Sequence, residues 1–222
     1  MKYSWQIYLS KITSAAGETL YMVTVASLIA CAVGIPLGIL AYVTSKKGIR
    51  PNKFLNIVCE AVVNIGRSIP FIILLILLLP FTRWIVGTTL GTTSAIVPLT
   101  IAAIPFTARV TDSAMRELDR GLIEAARSVG AGWWQTVYKV LVPECLPGLL
   151  RGACLTFINL VGYSAMAGTV GGGGLGNLAY QEGFINYDFA MILMCVVVLV
   201  AIVQLAQLIF NIVVRFIDKK NA

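Results

Sequence analysis

The sequence contains no histidine and little charge: only 12% of its 222 residues are Asp, Glu, Lys or Arg. A soluble domain carries about 25% charged residues, so this chain lacks the polar side chains to cover a water-facing surface. Without histidine there is no His-activated nucleophile, no His-ligated zinc and no histidine pH switch. Five cysteines (Cys31, Cys59, Cys145, Cys154, Cys195) are scattered with no C-x-x-C, and four fall in apolar stretches where a thiol acts as a small hydrophobe. A G-x-x-x-x-G-K-[ST] phosphate loop is also missing, so the chain encodes no ATP-hydrolysing site of its own. Hydrophobic residues fill the space instead, at 58%. The class is integral membrane protein.

Five stretches are long enough to cross about 30 Å of hydrocarbon, which takes roughly 20 helical residues. They are Leu20–Val43, Leu55–Pro80, Thr89–Ala108, Pro147–Val170 and Phe189–Val213. All five are expected to be helices, because only a helix satisfies its own backbone polar groups in lipid. The expected organisation is an interfacial segment 1–19 bearing Tyr3, Trp5 and Tyr8, a transmembrane domain 20–213 and a tail 214–222. Residues 1–19 contain no compact apolar run with a small-residue cleavage site, so they do not read as a cleavable signal peptide.

The formal net charge of +7 raises the question of nucleic acid, but the bases report topology instead. Thirteen of the seventeen fall in or beside 44–54, 109–146 and the tail after 213, all on one side if the spans alternate. Lys2, Lys11 and Arg83 fall on the other side, and Arg67 lies within a span. The positive-inside rule then places the amino terminus outside and the carboxyl terminus in the cytoplasm.

Segment 109–146 is the one substantial connection. Helix formers over Leu122–Val129 are followed by Gly130-Ala131-Gly132 and a second short helix, about Trp133–Val142, expected to stop against Pro143. Trp133, Val137 and Leu141 recur every four residues as one apolar stripe. So small a protrusion has no core of its own, and its stripe needs a surface to rest on. Two readings stand: a connector lying on lipid, or a docking site for a second polypeptide in the helix-in-groove mode.

Glu124-Ala125-Ala126, then Gly130 after three intervening residues, then Val140-x-Val142-Pro143 resembles the EAA loop of ABC importer permeases, with two valines in place of Ile and Leu. Arg67–Leu75, Pro80–Arg83, Ala95–Thr100, Val161–Met166 and Gly171–Gly176 resemble the methionine-importer permeases in particular. The resemblance implies an all-α type I ABC importer transmembrane domain, working as a homodimer in the bacterial cytoplasmic (inner) membrane. It implies two cytoplasmic ABC ATPase subunits, which would hold ATP and Mg, and an extracytoplasmic methionine-binding protein; this chain itself would bind no cofactor and no nucleic acid. It assigns ATPase coupling to Glu124, Ala125, Ala126, Gly130, Trp133, Val137, Leu141 and Pro143, and the cargo to methionine in its L and D forms. A permease for another amino acid or small polar solute is the alternative within this class.

Other motifs divide between structure and transport. Glu60, Asn64 and Arg67 share one face of the second helix, as a structural set or as part of the path. Tyr163-Ser164-Ala165-Met166 combines small residues with an aromatic hydroxyl and a thioether, which suits close packing or a gate formed by Tyr163, Ser164 and Met166. Gly171–Gly176 satisfies G-x-G-x-x-G without the βαβ context that a dinucleotide needs, and reads as a flexible or tightly turned outer loop. A secondary transporter would need coupling-ion ligands, yet Glu60 is the only acid inside any span. A membrane enzyme would need a nucleophile or metal cluster, for which the residues are missing.

Overall fold

The structure, a computed structural model, describes residues 5–46 and 48–218. Lys2, Tyr3, Lys47, Lys219 and Lys220, used in the topology above, lie outside the described residues. Every described element is helical: α1 Trp5–Thr44, α2 Lys53–Ser68, α3 Phe71–Leu77, α4 Leu79–Val86, α5 Thr92–Arg116 and α6 Arg120–Ser128. A short α7, Trp133–Gln135, runs through a π-helical segment Thr136–Leu141 into α8, Val142–Thr169. The chain ends with α9 Gly174–Leu178, a second π-helical segment Ala179–Ile185, and α10 Phe189–Ile217. Among the described residues four helices are long and apolar enough to cross a membrane, and α2 with α3, bent by 101° at their break, brings the number to five where the pair is counted as one broken span.

The spans occur where the apolar runs placed them, but three boundaries differ for identifiable reasons. First, the described part of segment 1–19 is not a separate interfacial piece; α1 begins at Trp5 and continues unbroken. Tyr8, Ile12, Ala15, Thr19, Met22 and Ala26 recur at helical spacing and are all buried, the first three against Leu175, Met191 and Cys195. Second, span two is not one helix. Pro70, at φ −57° and ψ 134°, is extended and ends α2, since a proline biases the residue before it out of the helical region. Third, Pro143 does not end a helix. It lies in the first turn of α8 directly after the π-helical turn, where Val142 N–H bonds to Val137 O rather than to residue 138. The wider i→i+5 turn relieves the clash that a proline ring makes with the carbonyl four residues back.

The contacts divide the chain into two compact units, one of Met1–Ile29, Ile69–Ala103 and Thr156–Leu208, the other of Ala30–Ser68, Ile104–Leu155 and Ile209–Ala222. In the second unit α5 is approached by glycines from three helices. A Cβ on Gly34 would lie 2.7 Å from Thr107 Cβ, and one on Gly38 would lie 2.6 Å from Thr111 Cβ and meet the Ala108 carbonyl. On α8, Gly148 and Gly152 stand in the same way against Ala114 and Val110, at 3.1 and 2.8 Å. Gly66 of α2 meets Pro105 at 2.6 Å. Small residues four apart let helix backbones approach closely, which is how helices associate where lipid offers no hydrophobic drive.

In the first unit, polar side chains fasten α1 to the segment after α8. Tyr8 donates to the Asp188 carboxylate, and Lys11 pairs with Glu182. Glu18 Oε2 accepts from Gly174 N–H at 2.7 Å, and Thr19 Oγ1 from Leu175 N–H at 2.9 Å. The glycine run is thus tightly turned, with Gly171, Gly173 and Gly174 at φ of 87°, 76° and 75°.

Substitution of Gly38 by Ala is expected to destabilise the purified protein by about 1–3 kcal/mol through overpacking, outweighing the roughly 1 kcal/mol helix preference of Ala. Gly17, with open space around its Cα, is the control: G17A should not lower the melting temperature in detergent. Equal melting temperatures for G38A and G17A would count against the close approach.

Candidate functional site

The connection between α5 and α8 begins its first helix at Asp119, whose Oδ1 accepts from Gly121 N–H at 2.9 Å and caps α6. Along α6, Ile123 and Ala126 are buried whereas Glu124 and Ala125 are exposed. Ile123 joins a core of Tyr42, Val43, Ile49, Met115, Val137, Leu141, Cys145 and Leu149. Arg127 Nη2 donates to the Ile49 carbonyl at 2.9 Å, tying the helix to the connection between α1 and α2 by a charge-assisted bond.

At the elbow, Ala131 N–H bonds to Ala126 O at 3.1 Å and Gly130 N–H to Arg127 O at 2.9 Å. This 6→1 and 5→2 pair is a Schellman motif, which needs a left-handed residue at its fifth position. Gly130 supplies it at φ 76°, and no atom stands within 4 Å of where its Cβ would be. Its requirement is therefore conformational rather than steric. After the elbow, Gln135 Oε1 accepts from Gly132 N–H at 3.2 Å, and Trp133 carries the Arg50 guanidinium 5.4 Å above its ring.

The stripe of Trp133, Val137 and Leu141 divides. Val137 is buried and Leu141 is wholly inaccessible (0% exposed), so both hold the loop against its own chain instead of facing a partner. The surface that the stripe needed is the ends of α1 and α5. The outward face is formed by Glu124, Ala125, Ser128, Val129 and Gly130, with Val129 83% exposed at the tip; Pro143 is also exposed. The geometry makes a stiff lever with a small-residue face and one projecting apolar side chain.

Glu60 is not paired with Arg67. Its Oε1 lies 3.9 Å from Arg116 Nη2 on α5, and Arg116 Nε bonds both oxygens of buried Asp112 at 2.9 and 3.0 Å. Arg109 closes the set, 3.5 Å from Asp112 Oδ2. An aspartate removed from water is tolerated because two guanidinium groups face it. Asn64 and Arg67 are exposed on α2. Polar groups in a span face water or another chain rather than lipid, so this face is the one to be covered or wetted.

The second candidate group also separates. Ser164 is buried at 2% exposure, its hydroxyl donating to the Val161 carbonyl at 2.8 Å, and so serves packing. Tyr163 stacks on Phe71 with ring centroids 4.5 Å apart. Met166 is 49% exposed and leaves the chain's surface as a flexible thioether. Sequence reasoning missed the pairing of Lys11 with Glu182. The signal was present, in a segment 171–188 with two acids and no base.

Comparison with known proteins agrees with this architecture. Residues 34–222 match the family described as binding-protein-dependent transport system inner membrane component. A probable D-methionine transport system permease protein of Vibrio cholerae is 50% identical over 94% of this chain and 93% of its own length. A methionine import system permease protein of Bacillus subtilis is 45% identical over 99% of each chain. Among solved structures, a chain of a methionine ABC transporter in an inward-facing conformation superposes with a TM-score of 0.94 at 46% identity, covering 98% of this chain and 100% of that one. An amino acid ABC transporter chain, 18% identical, shares the fold with a TM-score of 0.80 over 97% and 99% of the two chains. The fold is therefore that of a type I ABC importer transmembrane domain, and the chain belongs to the family of binding-protein-dependent transport system inner membrane components.

Proposed function

We propose that this chain is the translocating subunit of an ATP-driven importer that carries methionine, in both L and D forms, into the cytoplasm. Relatives at this level of identity that bear the name of methionine transport support the cargo. The observation that carries the mechanism is the coupling lever: a capped helix fixed to the span ends, with its small-residue face outward.

Two copies enclose the path, since five spans from one chain surround little space. Two ABC ATPase subunits, which hold the ATP and Mg, dock on the faces made by Glu124, Ala125, Val129 and Gly130. An extracytoplasmic methionine-binding protein delivers cargo, with the amino terminus on that side and the carboxyl terminus in the cytoplasm. ATP binding closes the ATPase pair, the levers move as rigid bodies with it, and the spans open outward; hydrolysis restores the inward state. Arg127, Val137 and Leu141 transmit that movement, because Arg127 bonds the lever to the connection after α1 and the two apolar side chains pack it on α1, α5 and α8. Met166, Asn64 and Arg67 line or gate the path. The chain itself performs no chemical catalysis.

Proteoliposomes holding permease, ATPase and binding protein should accumulate labelled methionine, with unlabelled L- and D-methionine competing and other amino acids failing to compete. Equal uptake of an unrelated amino acid would refute the cargo. Glu124→Arg places a long cation on the docking face. Losing a contact worth about 2 kcal/mol weakens ATPase association about thirtyfold with membrane insertion intact. Unchanged co-purification would refute the docking face. Met166→Ala should raise ATP hydrolysis per methionine carried; an unchanged ratio would make Met166 a packing residue.

A further inference from the structure

Within the second unit a cleft of about 310 Å³ separates the inner end of α1 from α7 and the π-helical turn. Pro36, Leu40 and Val43 form one wall, and Trp134, Val137 and Tyr138 the other. Its lining is apolar, so only hydrocarbon gains by entering it. The α1 wall belongs to a stretch, residues 19–45, with no charged residue, and the rise from Pro36 to Val43 gives it a length of roughly 10 Å. A wall so free of charge suits contact with acyl chains better than contact with a water-soluble protein. At the mouth, Trp134 and Tyr138 are 64% and 69% exposed, an amphipathic pair suited to the headgroup zone.

Charge selects the headgroup. The connection after α1 carries Lys46 and Arg50, both exposed, and Lys139 is exposed beside Tyr138. The Arg50 guanidinium is held 5.4 Å over Trp133, which also lines the cleft. From Thr19 to Cys59, and from Trp133 to Pro143, there is no Asp or Glu. Both walls therefore end in cations with no acid on either segment.

We propose that this cleft binds one anionic phospholipid of the cytoplasmic leaflet, an acyl chain against Leu40 and Tyr138 and the phosphate facing Lys46 and Arg50. The assignment of leaflet rests on the topology given under the proposed function; the lipid site itself is read independently of transport. Because Trp134, Val137 and Tyr138 follow directly from the coupling elbow, the lipid packs against the root of the lever.

The test is native mass spectrometry of the permease–ATPase complex, titrated with phosphatidylglycerol and with phosphatidylcholine. One phosphatidylglycerol per permease should be retained in preference to phosphatidylcholine. Arg50→Gln should lower that preference about fivefold, the effect of one surface base at an anionic headgroup. Leu40→Trp, which fills the cleft, should lose the bound lipid with the ATPase still attached. No headgroup preference in the unmodified complex, or full retention in L40W, would overturn the proposal. Should L40W fail to assemble, a photo-reactive side chain at position 138 in intact membranes decides the matter. A lipid adduct supports the site, and an adduct to the ATPase or to a second permease overturns it.

Discussion

The second unit depends on one constraint, the close approach of glycine-bearing helices to α5. Gly34 and Gly38 on α1, Gly66 on α2, and Gly148 and Gly152 on α8 each leave room for a residue between Ile104 and Ala114. Van der Waals attraction falls steeply with separation, so a gap of even an ångström forfeits much of it. In lipid, where apolar area gains nothing by leaving one hydrocarbon for another, that contact is the main cohesive term. The buried Asp112 follows from the same crowding: at so tightly packed a helix an acid survives only with Arg109 and Arg116 folded over it.

The coupling loop inherits its stiffness from this arrangement. Its core residues Ile123, Val137 and Leu141 pack on Tyr42, Val43 and Met115, which belong to the ends of α1 and α5. A lever transmits displacement only if its root deforms less than its load. Here the root is a packed core, and the elbow is a hydrogen-bonded cap at Gly130. Under the proposed coupling role, a load at Val129 meets a packed root and a hydrogen-bonded elbow before it meets the spans.

The sequence made the spans legible because long uncharged runs have one physical solution in lipid. It made the coupling loop legible through spacing, since Glu124-Ala125-Ala126 and Gly130 mark a helix and its left-handed cap. An amphipathic stripe, however, states that something covers it and not what. Val137 and Leu141 were placed on the right face and given the wrong neighbour. Pro143 misled because a rule for α-helices does not hold beside a π-helical turn. The first turns of α1 were obscured by Lys11 and Glu18, polar residues that look unsuited to a packed helix until Glu182 and Gly174, more than 150 positions away, are brought alongside. The four-residue spacing of Gly34 and Gly38 was readable, and its meaning is purely local geometry.

The length of α1 carries a mechanical consequence. Forty residues at 1.5 Å each give about 60 Å of helix, twice the roughly 30 Å of hydrocarbon it has to cross. Ordinary tilts of about 20° take up only a small part of that excess, so several outer turns stand clear of the acyl chains. Those turns are the ones moored to Gly174, Glu182 and Asp188. The segment after the glycine run is thereby carried on a mast rooted in the bilayer. Where the helix outruns the acyl chains, polar bonds to a neighbouring segment take over the job that lipid contact does below.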